Sequence, residues 1–152
     1  MKKILVLGCT GSIGTSTVDI LKNHKDRFAC CGLTANKNKE KLEELASFFE
    51  CPYSLTSEEG TEGIKKLIEK TKPDIVVNGI AGSAGLVPSI LVLEAGIDLA
   101  LANKESVVMA GPVIFEMAKK SGSRILPVDS EHSAIFTLLN NCGGSKNVGQ
   151  LI

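Results

Sequence analysis

A short apolar run, Ile4-Leu5-Val6-Leu7, ends on three regularly spaced glycines, Gly8-Cys9-Thr10-Gly11-Ser12-Ile13-Gly14, and a segment of helical character follows. This layout restricts what the chain can fold into more than any other feature. It describes a buried strand, a turn too tight for side chains, and a helix whose N-terminus looks out over the end of the strand. Gly8 allows the turn, Gly11 lets the backbone approach a phosphate, and Gly14 lets the helix pack on the strand. Unpaired N–H groups and the positive end of a helix dipole suit a pyrophosphate there, and Thr10 and Ser12 add hydroxyls. The spacing is not the strict Gly-x-Gly-x-x-Gly form, and such a run also serves as an ordinary structural turn. The strand before it and the helix after it favour nucleotide binding.

Apolar periodicity predicts strands over 3–7, 28–33, 53–55, 75–77, 98–101 and 124–128. Helices are predicted over 12–24, 39–49, 61–70, 84–93, 105–120 and 130–139. Ile13, Val18, Ile20 and Leu21 turn inward in part from the first helix. Leu42, Leu45, Phe48 and Phe49 form an apolar stripe on the second, opposite Glu40, Lys41, Glu43 and Glu44. Ile64, Leu67 and Ile68 face inward from the third. Strict alternation of strand and helix implies an α/β fold: a Rossmann-like, doubly wound, mostly parallel sheet with helices on both faces. One such domain is expected over 1–139. Residues 140–147 read as a loop, and Val148 to Ile152 as the start of a further strand with nothing to pair it. The expectation is therefore a truncated chain, with 140–152 leading into a missing catalytic domain.

Several function classes are disfavoured by composition. In 152 residues, Lys+Arg 17 balance Asp+Glu 17, which gives no reason to expect nucleic acid or an anionic membrane as partner. Aromatic residues are only 4% and Trp is absent, so there is no platform for stacking bases. The hydrophobic share of 43% supports a packed core, but no run approaches the roughly 20 apolar residues of a membrane span. Cys9, Cys30, Cys31, Cys51 and Cys142 form no C-x-x-C pair, and neither histidine stands at zinc-ligand spacing from them. They read as small, mostly buried residues of a reducing, cytoplasmic compartment, with Cys9 in the glycine loop the more exposed.

In an open α/β sheet, ligands gather beyond the carboxyl ends of the strands. After the second strand the chain reads Thr34-Ala35-Asn36-Lys37-Asn38-Lys39, where an NAD site would carry an acid; Asn and Lys suit a 2′-phosphate, so NADP is favoured. Asn38 equally suits a helix N-cap. Asn78-Gly79-Ile80-Ala81-Gly82-Ser83-Ala84-Gly85 follows the fourth strand as a flexible loop or a ligand wall. Ala102-Asn103-Lys104-Glu105-Ser106 follows the fifth; Lys104 could hold an anionic substrate or simply pair with Glu105 at a helix start. After the sixth comes Pro127-Val128-Asp129-Ser130-Glu131-His132. Asp129 and Glu131, two apart, suit a hard cation such as Mg²⁺ or Mn²⁺, or ordinary capping chemistry in a first helical turn. Two carboxylates are too few for a full cage, and His132 reads as a packed residue.

These motifs, with Leu126-Pro127-Val128-Asp129-Ser130-Glu131-His132-Ser133-Ala134-Ile135-Phe136 and Leu101-Ala102-Asn103-Lys104-Glu105-Ser106 the most specific, resemble the 1-deoxy-D-xylulose 5-phosphate reductoisomerase family over the whole chain and in the right order. The resemblance implies that Thr10, Gly11, Ser12 and Ile13 bind the NADPH pyrophosphate. Asn36, Lys37 and Asn38 would receive its adenosine end, and Asn103 and Glu105 would border it. Lys104, Ser130 and Glu131 would contact the substrate, with Lys104 and Glu131 catalytic, and Asp129 and Glu131 would bind Mg²⁺, Mn²⁺ or Co²⁺. The implied reaction makes 2-C-methyl-D-erythritol 4-phosphate for isoprenoid synthesis, by rearrangement and then hydride transfer from NADPH. Family members are much longer and commonly homodimers. Their third metal carboxylate, phosphate-binding residues and mobile loop lie past the point matching Ile152, so this chain alone is expected to bind NADPH weakly and to be inactive. Asn36 stands where the family often has Gly. A homoserine dehydrogenase-like reductase would leave Asp129-Ser130-Glu131 without a role, and a non-catalytic nucleotide-binding module would leave the last strand unpaired.

Overall fold

The computed structural model describes residues 1–147. Six strands alternate with six helices: β1 (Lys2–Leu7), α1 (Ser12–Asn23), β2 (Phe28–Ala35), α2 (Lys39–Phe49), β3 (Tyr53–Leu55), α3 (Thr56–Thr71), β4 (Ile75–Asn78), α4 (Leu86–Glu94), β5 (Asp98–Leu101), α5 (Lys104–Ser121), β6 (Ile125–Pro127) and α6 (Ser130–Asn141). The strands form one sheet in the order β3-β2-β1-β4-β5-β6, and every pairing is parallel. The winding reverses between β1 and β4, where Val6 faces Val77 and Leu7 faces Asn78 in register. A crevice opens at such a reversal because the flanking crossovers leave in opposite directions.

The apolar run of β1 is continuous because both of its faces are covered. On one side Val6 and Leu33 pack with Val18 and Leu21 of α1 and with Leu42 and Leu45 of α2. On the other, Leu5, Leu7, Val76 and Leu99 pack with Ile64, Leu67, Val92, Leu93 and Ile114 from α3, α4 and α5. Each fully buried aliphatic side chain contributes roughly 1.5–3 kcal/mol of transfer free energy. By contrast, α6 buries no side chain completely.

Several local expectations are corrected. Ile20 is 52% exposed and Phe48 51% exposed, so neither belongs to the core. In α1 the inward stripe runs through Gly14, Val18 and Leu21, and Ile20 lies off it. Phe48 is instead covered by lysines, with the Lys25 ammonium 4.7 Å and the Lys22 ammonium 5.3 Å from its ring centre. The third helix begins in earnest after Gly60, whose φ of 59° interrupts an extra turn at Thr56. A short 3-10 turn over Gly82–Gly85 delays α4. Within α5 the backbone leaves helical geometry at Ala110, just before Pro112, which lacks the N–H that would bind the Val108 carbonyl. The sixth helix continues through Asn140 and Asn141, which had read as loop, and the strand expected over 148–152 lies outside the described residues. Among the described residues no helix is long and apolar enough to cross a membrane.

Candidate functional site

The turn after β1 is built almost wholly from backbone. Gly8 adopts φ +76°, a left-handed conformation that favours glycine. Thr34, at the end of β2, clasps the turn twice: Gly8 N–H donates to its hydroxyl at 3.1 Å and Cys9 N–H to its carbonyl at 2.8 Å. A Cβ on Gly14 would lie 2.1 Å from the Gly8 carbonyl oxygen and 2.6 Å from Cys9 Cα, so only glycine lets α1 seat this closely. Cys9 is wholly buried by the same packing, against the expectation of exposure, and burial pushes its thiol up to about 11. Gly11 occupies the N-cap of α1 and no side chain caps the helix, so its first-turn N–H groups keep their hydrogen-bonding capacity for another acceptor. This is the cradle an anionic pyrophosphate fits.

In front of it lies a cleft of about 500 Å³. Gly8, Thr10 and Gly11 form its floor, Thr34 to Asn36 one side, and Gly79, Ile80, Ala81 and Ala84 the other. Thr56, Gly60 and Thr61, in the kinked first turns of α3, close the far end. The sequence reading did not single out Thr34, Thr56, Gly60 or Thr61 for this role. Thr56 is tied in by its hydroxyl, which donates to the Ala35 carbonyl, and Ser57 N–H donates to the Asn36 carbonyl.

The glycine-rich wall is held by two buried asparagines. Asn78, wholly buried at the end of β4, donates its amide to the Gly85 carbonyl and the Ser89 hydroxyl, each at 2.9 Å, and accepts from Ile80 N–H at 3.1 Å. Asn103, 2% exposed, donates to the carbonyls of Ile80 and Gly82, each at 2.6 Å. Its oxygen accepts from Ser106 N–H and the Ser106 hydroxyl, which makes it the N-cap of α5. The Asn103 amide is thus fully engaged inside the protein. Any contact it makes with a ligand runs through its backbone or through the loop it holds.

The expected nucleotide residues divide. Thr10, Gly11 and Asn36 line the cleft; Ser12 opens α1 beside it, and Ile13 packs partly into the core. Lys37 and Asn38 are exposed and stand outside the cleft wall, and Asn38 accepts from Lys41 N–H at 3.1 Å as the N-cap of α2. Glu105 is exposed in the first turn of α5.

At the other strand ends, Lys104, Asp129, Ser130 and Glu131 come together. Asp129 occupies the N-cap position of α6, yet its side chain makes no capping bond. It lies 3.9 Å from the Lys104 ammonium and within hydrogen-bonding reach of Glu131. That contact, the Glu131 backbone N–H and the Ser130 hydroxyl at 2.9 Å together hold the Glu131 carboxyl down to about 2. Lys104 therefore pairs with Asp129 rather than with Glu105. A pair of converging carboxylates fits a hard divalent cation in part, and among the described residues no third His, Cys, Asp or Glu completes the set. His132 lies along a neighbouring apolar groove of about 300 Å³ with Phe115, Ile135, Phe136 and Leu139, which also reaches Lys104.

The sheet order, the glycine turn and a cleft at the point of reversal together define a dinucleotide-binding domain of the doubly wound class. A profile of the 1-deoxy-D-xylulose 5-phosphate reductoisomerase family matches residues 4–59 and 52–111, and the chain belongs to that family. A reductoisomerase of this name from Treponema denticola is 47% identical over 91% of this chain, and one from Clostridium perfringens 40% identical over 96%. The chain spans 39% and 44% of the length of those two relatives. A reductoisomerase crystal structure in complex with NADPH, fosmidomycin and magnesium superposes with a TM-score of 0.83 at 36% identity, covering 91% of this chain and 39% of that one. The Zymomonas mobilis enzyme in complex with NADPH superposes with a TM-score of 0.77 at 31% identity, covering 96% of this chain and 42% of that one. A homoserine dehydrogenase from Thiobacillus denitrificans, at 21% identity, shares the fold alone.

Proposed function

We propose that this chain is the NADPH-binding part of a divalent-metal-dependent reductoisomerase. The enzyme converts 1-deoxy-D-xylulose 5-phosphate to 2-C-methyl-D-erythritol 4-phosphate in the cytoplasm, as a homodimer when the polypeptide is full length. One observation carries this reading: Asp129 forgoes helix capping to meet Glu131 and Lys104 at the end of the same sheet whose β1 end holds the glycine cradle. Relatives crystallised with NADPH and with magnesium support both halves.

The dinucleotide would supply hydride, and the cation Lewis-acid polarisation and a template for two substrate oxygens. The protein's own contribution is position and charge. Thr10, Gly11, Ser12 and Ile13 would present N–H and hydroxyl donors to the pyrophosphate. Asn36, with Lys37 and Asn38 at the rim, would take the adenosine end, where the Lys37 charge favours a 2′-phosphate. Asn103 and Glu105 would border the cofactor between the two clusters. Asp129 and Glu131 would hold the cation, and Glu131 and Ser130 would also orient the substrate. Lys104, 59% exposed, is free to swing from Asp129 towards an anionic or developing oxyanion oxygen once a cation takes its place.

Calorimetric titration of the chain with NADPH and NADH tests the cofactor assignment: weak binding with NADPH the tighter is expected, and tighter NADH overturns it. With the sugar phosphate, NADPH and Mn²⁺ present, loss of NADPH absorbance is expected only for a full-length family polypeptide carrying this sequence. Turnover by the 152-residue chain itself would refute the division of the site.

A further inference from the structure

Away from the nucleotide cleft, four of the five cysteines lie near one another around β2, and two of them face. The sulfur of Cys30, in β2, is 3.9 Å from the sulfur of Cys51, in the connection between α2 and β3. We propose that Cys30 and Cys51 are a modification site, a dithiol that hydroperoxides oxidise to an intramolecular disulfide.

The placement is set by the backbone. Ile4 pairs with Cys30 but Leu5 pairs with Gly32, so Cys31 is the extra residue of a bulge. Cys30 thereby packs on the α1 and α2 side of the sheet and Cys31 on the other. Cys51 packs on the same side as Cys30, held there by its N–H to the Ala46 carbonyl and by Leu33 N–H to the Pro52 carbonyl. Closing the gap to a bond of about 2 Å asks for rotation about two Cα–Cβ bonds and a small shift of a bulged strand beside a loop. Both thiols are half-buried yet reach solvent. Cys30 lines a surface cleft of about 250 Å³ beside Lys25 and Phe48, and Cys51 lines a shallower one beside Glu43 and Tyr53.

The remaining cysteines are poor rivals. Cys9 is wholly buried, Cys31 faces the opposite side, and Cys142 follows the end of α6. Within the pair either S–H can donate to the other sulfur; the contact lowers the Cys51 thiol, and the contact together with burial pushes Cys30 up. Cys51, on a connection beside the shallower cleft while Cys30 is held within a strand, is therefore the attacking sulfur.

In the first step the Cys51 thiolate attacks the terminal oxygen of ROOH. The O–O bond breaks, ROH leaves with a proton, and Cys51 becomes a sulfenic acid. In the second, the Cys30 sulfur attacks Cys51, the S–O bond breaks, and the Cys30 proton leaves with the departing hydroxide as water. Two electrons pass from the two sulfurs to the peroxide, and a dithiol reductant reverses the change.

The test does not depend on the proposed function. The 152-residue chain is treated with hydrogen peroxide, its remaining thiols are alkylated in denaturant, and its peptides are mapped by mass spectrometry. Expected are a fall of two in free thiols, one cross-linked peptide pair joining Cys30 to Cys51, and full reversal by dithiothreitol. In Cys30→Ser, dimedone should trap a sulfenic acid at Cys51, whereas Cys51→Ser should give no dimedone adduct at Cys30. Thiols that stay free in peroxide, or a linkage through Cys9, Cys31 or Cys142, overturn the proposal.

Discussion

At the end of β1 the working groups are backbone atoms, and nearly everything behind them is buried. At the end of β6 they are side chains, and the helix that carries them buries none completely. The β1 end is enforced by contact: Thr34 beneath the turn, Gly14 against Gly8, and Asn78 and Asn103 bracing the wall opposite. Its geometry is a property of this chain's own core. The β6 end is enforced by charge. Asp129, Glu131 and Lys104 hold one another on a partly exposed surface, where the proposed cation or substrate would rearrange them at little cost to the fold. Substitutions at the first end should therefore damage folding and binding together, and substitutions at the second should separate them.

The strongest test is Gly14→Ala. The added methyl meets backbone atoms of Gly8 and Cys9, so no side-chain rotation relieves it, and α1 must lift from β1. A loss of about 3 kcal/mol in urea unfolding is expected, with loss of NADPH binding. An unchanged unfolding midpoint would break the claim that packing sets the cradle. Next is Asn78→Ala, which empties a fully buried site and leaves Ile80 N–H without its acceptor. Roughly 2–3 kcal/mol is expected, with NADPH affinity falling further than stability alone explains because the cleft wall loosens. If binding survives intact in the folded fraction, the wall does not shape the site.

The third prediction concerns how β6 is held at its opposite end. Asp98 accepts from Arg124 N–H at 2.8 Å and from its guanidinium, and this holds its carboxyl below the ordinary 3.8. A depressed folded value means the contribution is complete above about pH 3.8 and is lost as pH falls through the folded value. Asp98→Asn should cost roughly 1–2 kcal/mol at neutral pH and flatten the acid limb of the stability curve. An acid limb as steep as the parent's would assign it to other carboxylates.

Most of the fold was legible because a doubly wound sheet writes itself into sequence as apolar runs, turns and amphipathic helices in strict alternation. β1 is the clearest case, since burial on both faces permits no polar residue from Ile4 to Leu7. The misreadings were local. Ile20 and Phe48 look like core by periodicity, but whether a helix face is covered depends on what the neighbouring helix brings, and at Phe48 it brings lysines. Cys9 reads as a loop residue, and nothing nearby announces that Thr34 pulls it into the core. The candidate site was legible in the residue types it brings together and less so in their support. Asp129, Glu131 and Lys104 stand out by type and position, whereas Thr34, Thr56, Gly60 and Thr61 reach the cleft only through the order of the strands. Asn103 shows the reverse limit, since a residue marked for a ligand has every amide hydrogen bond spent on the protein itself.

The smallest expected effect on stability is also the sharpest test of the comparison. Glu131 is exposed, and its partners are Asp129, Ser130 and its own N–H, so Glu131→Gln removes a charge without opening a cavity or orphaning a buried group. It should leave the urea unfolding midpoint where the parent's lies. Mn²⁺ binding, followed by the relaxation of water protons, should weaken at least tenfold, because half of the paired charge is gone. NADPH binding at the glycine cradle should be untouched. If Glu131→Gln instead unfolds the chain as Gly14→Ala is expected to, the carboxylates are structural and the β6 end is built like the β1 end after all.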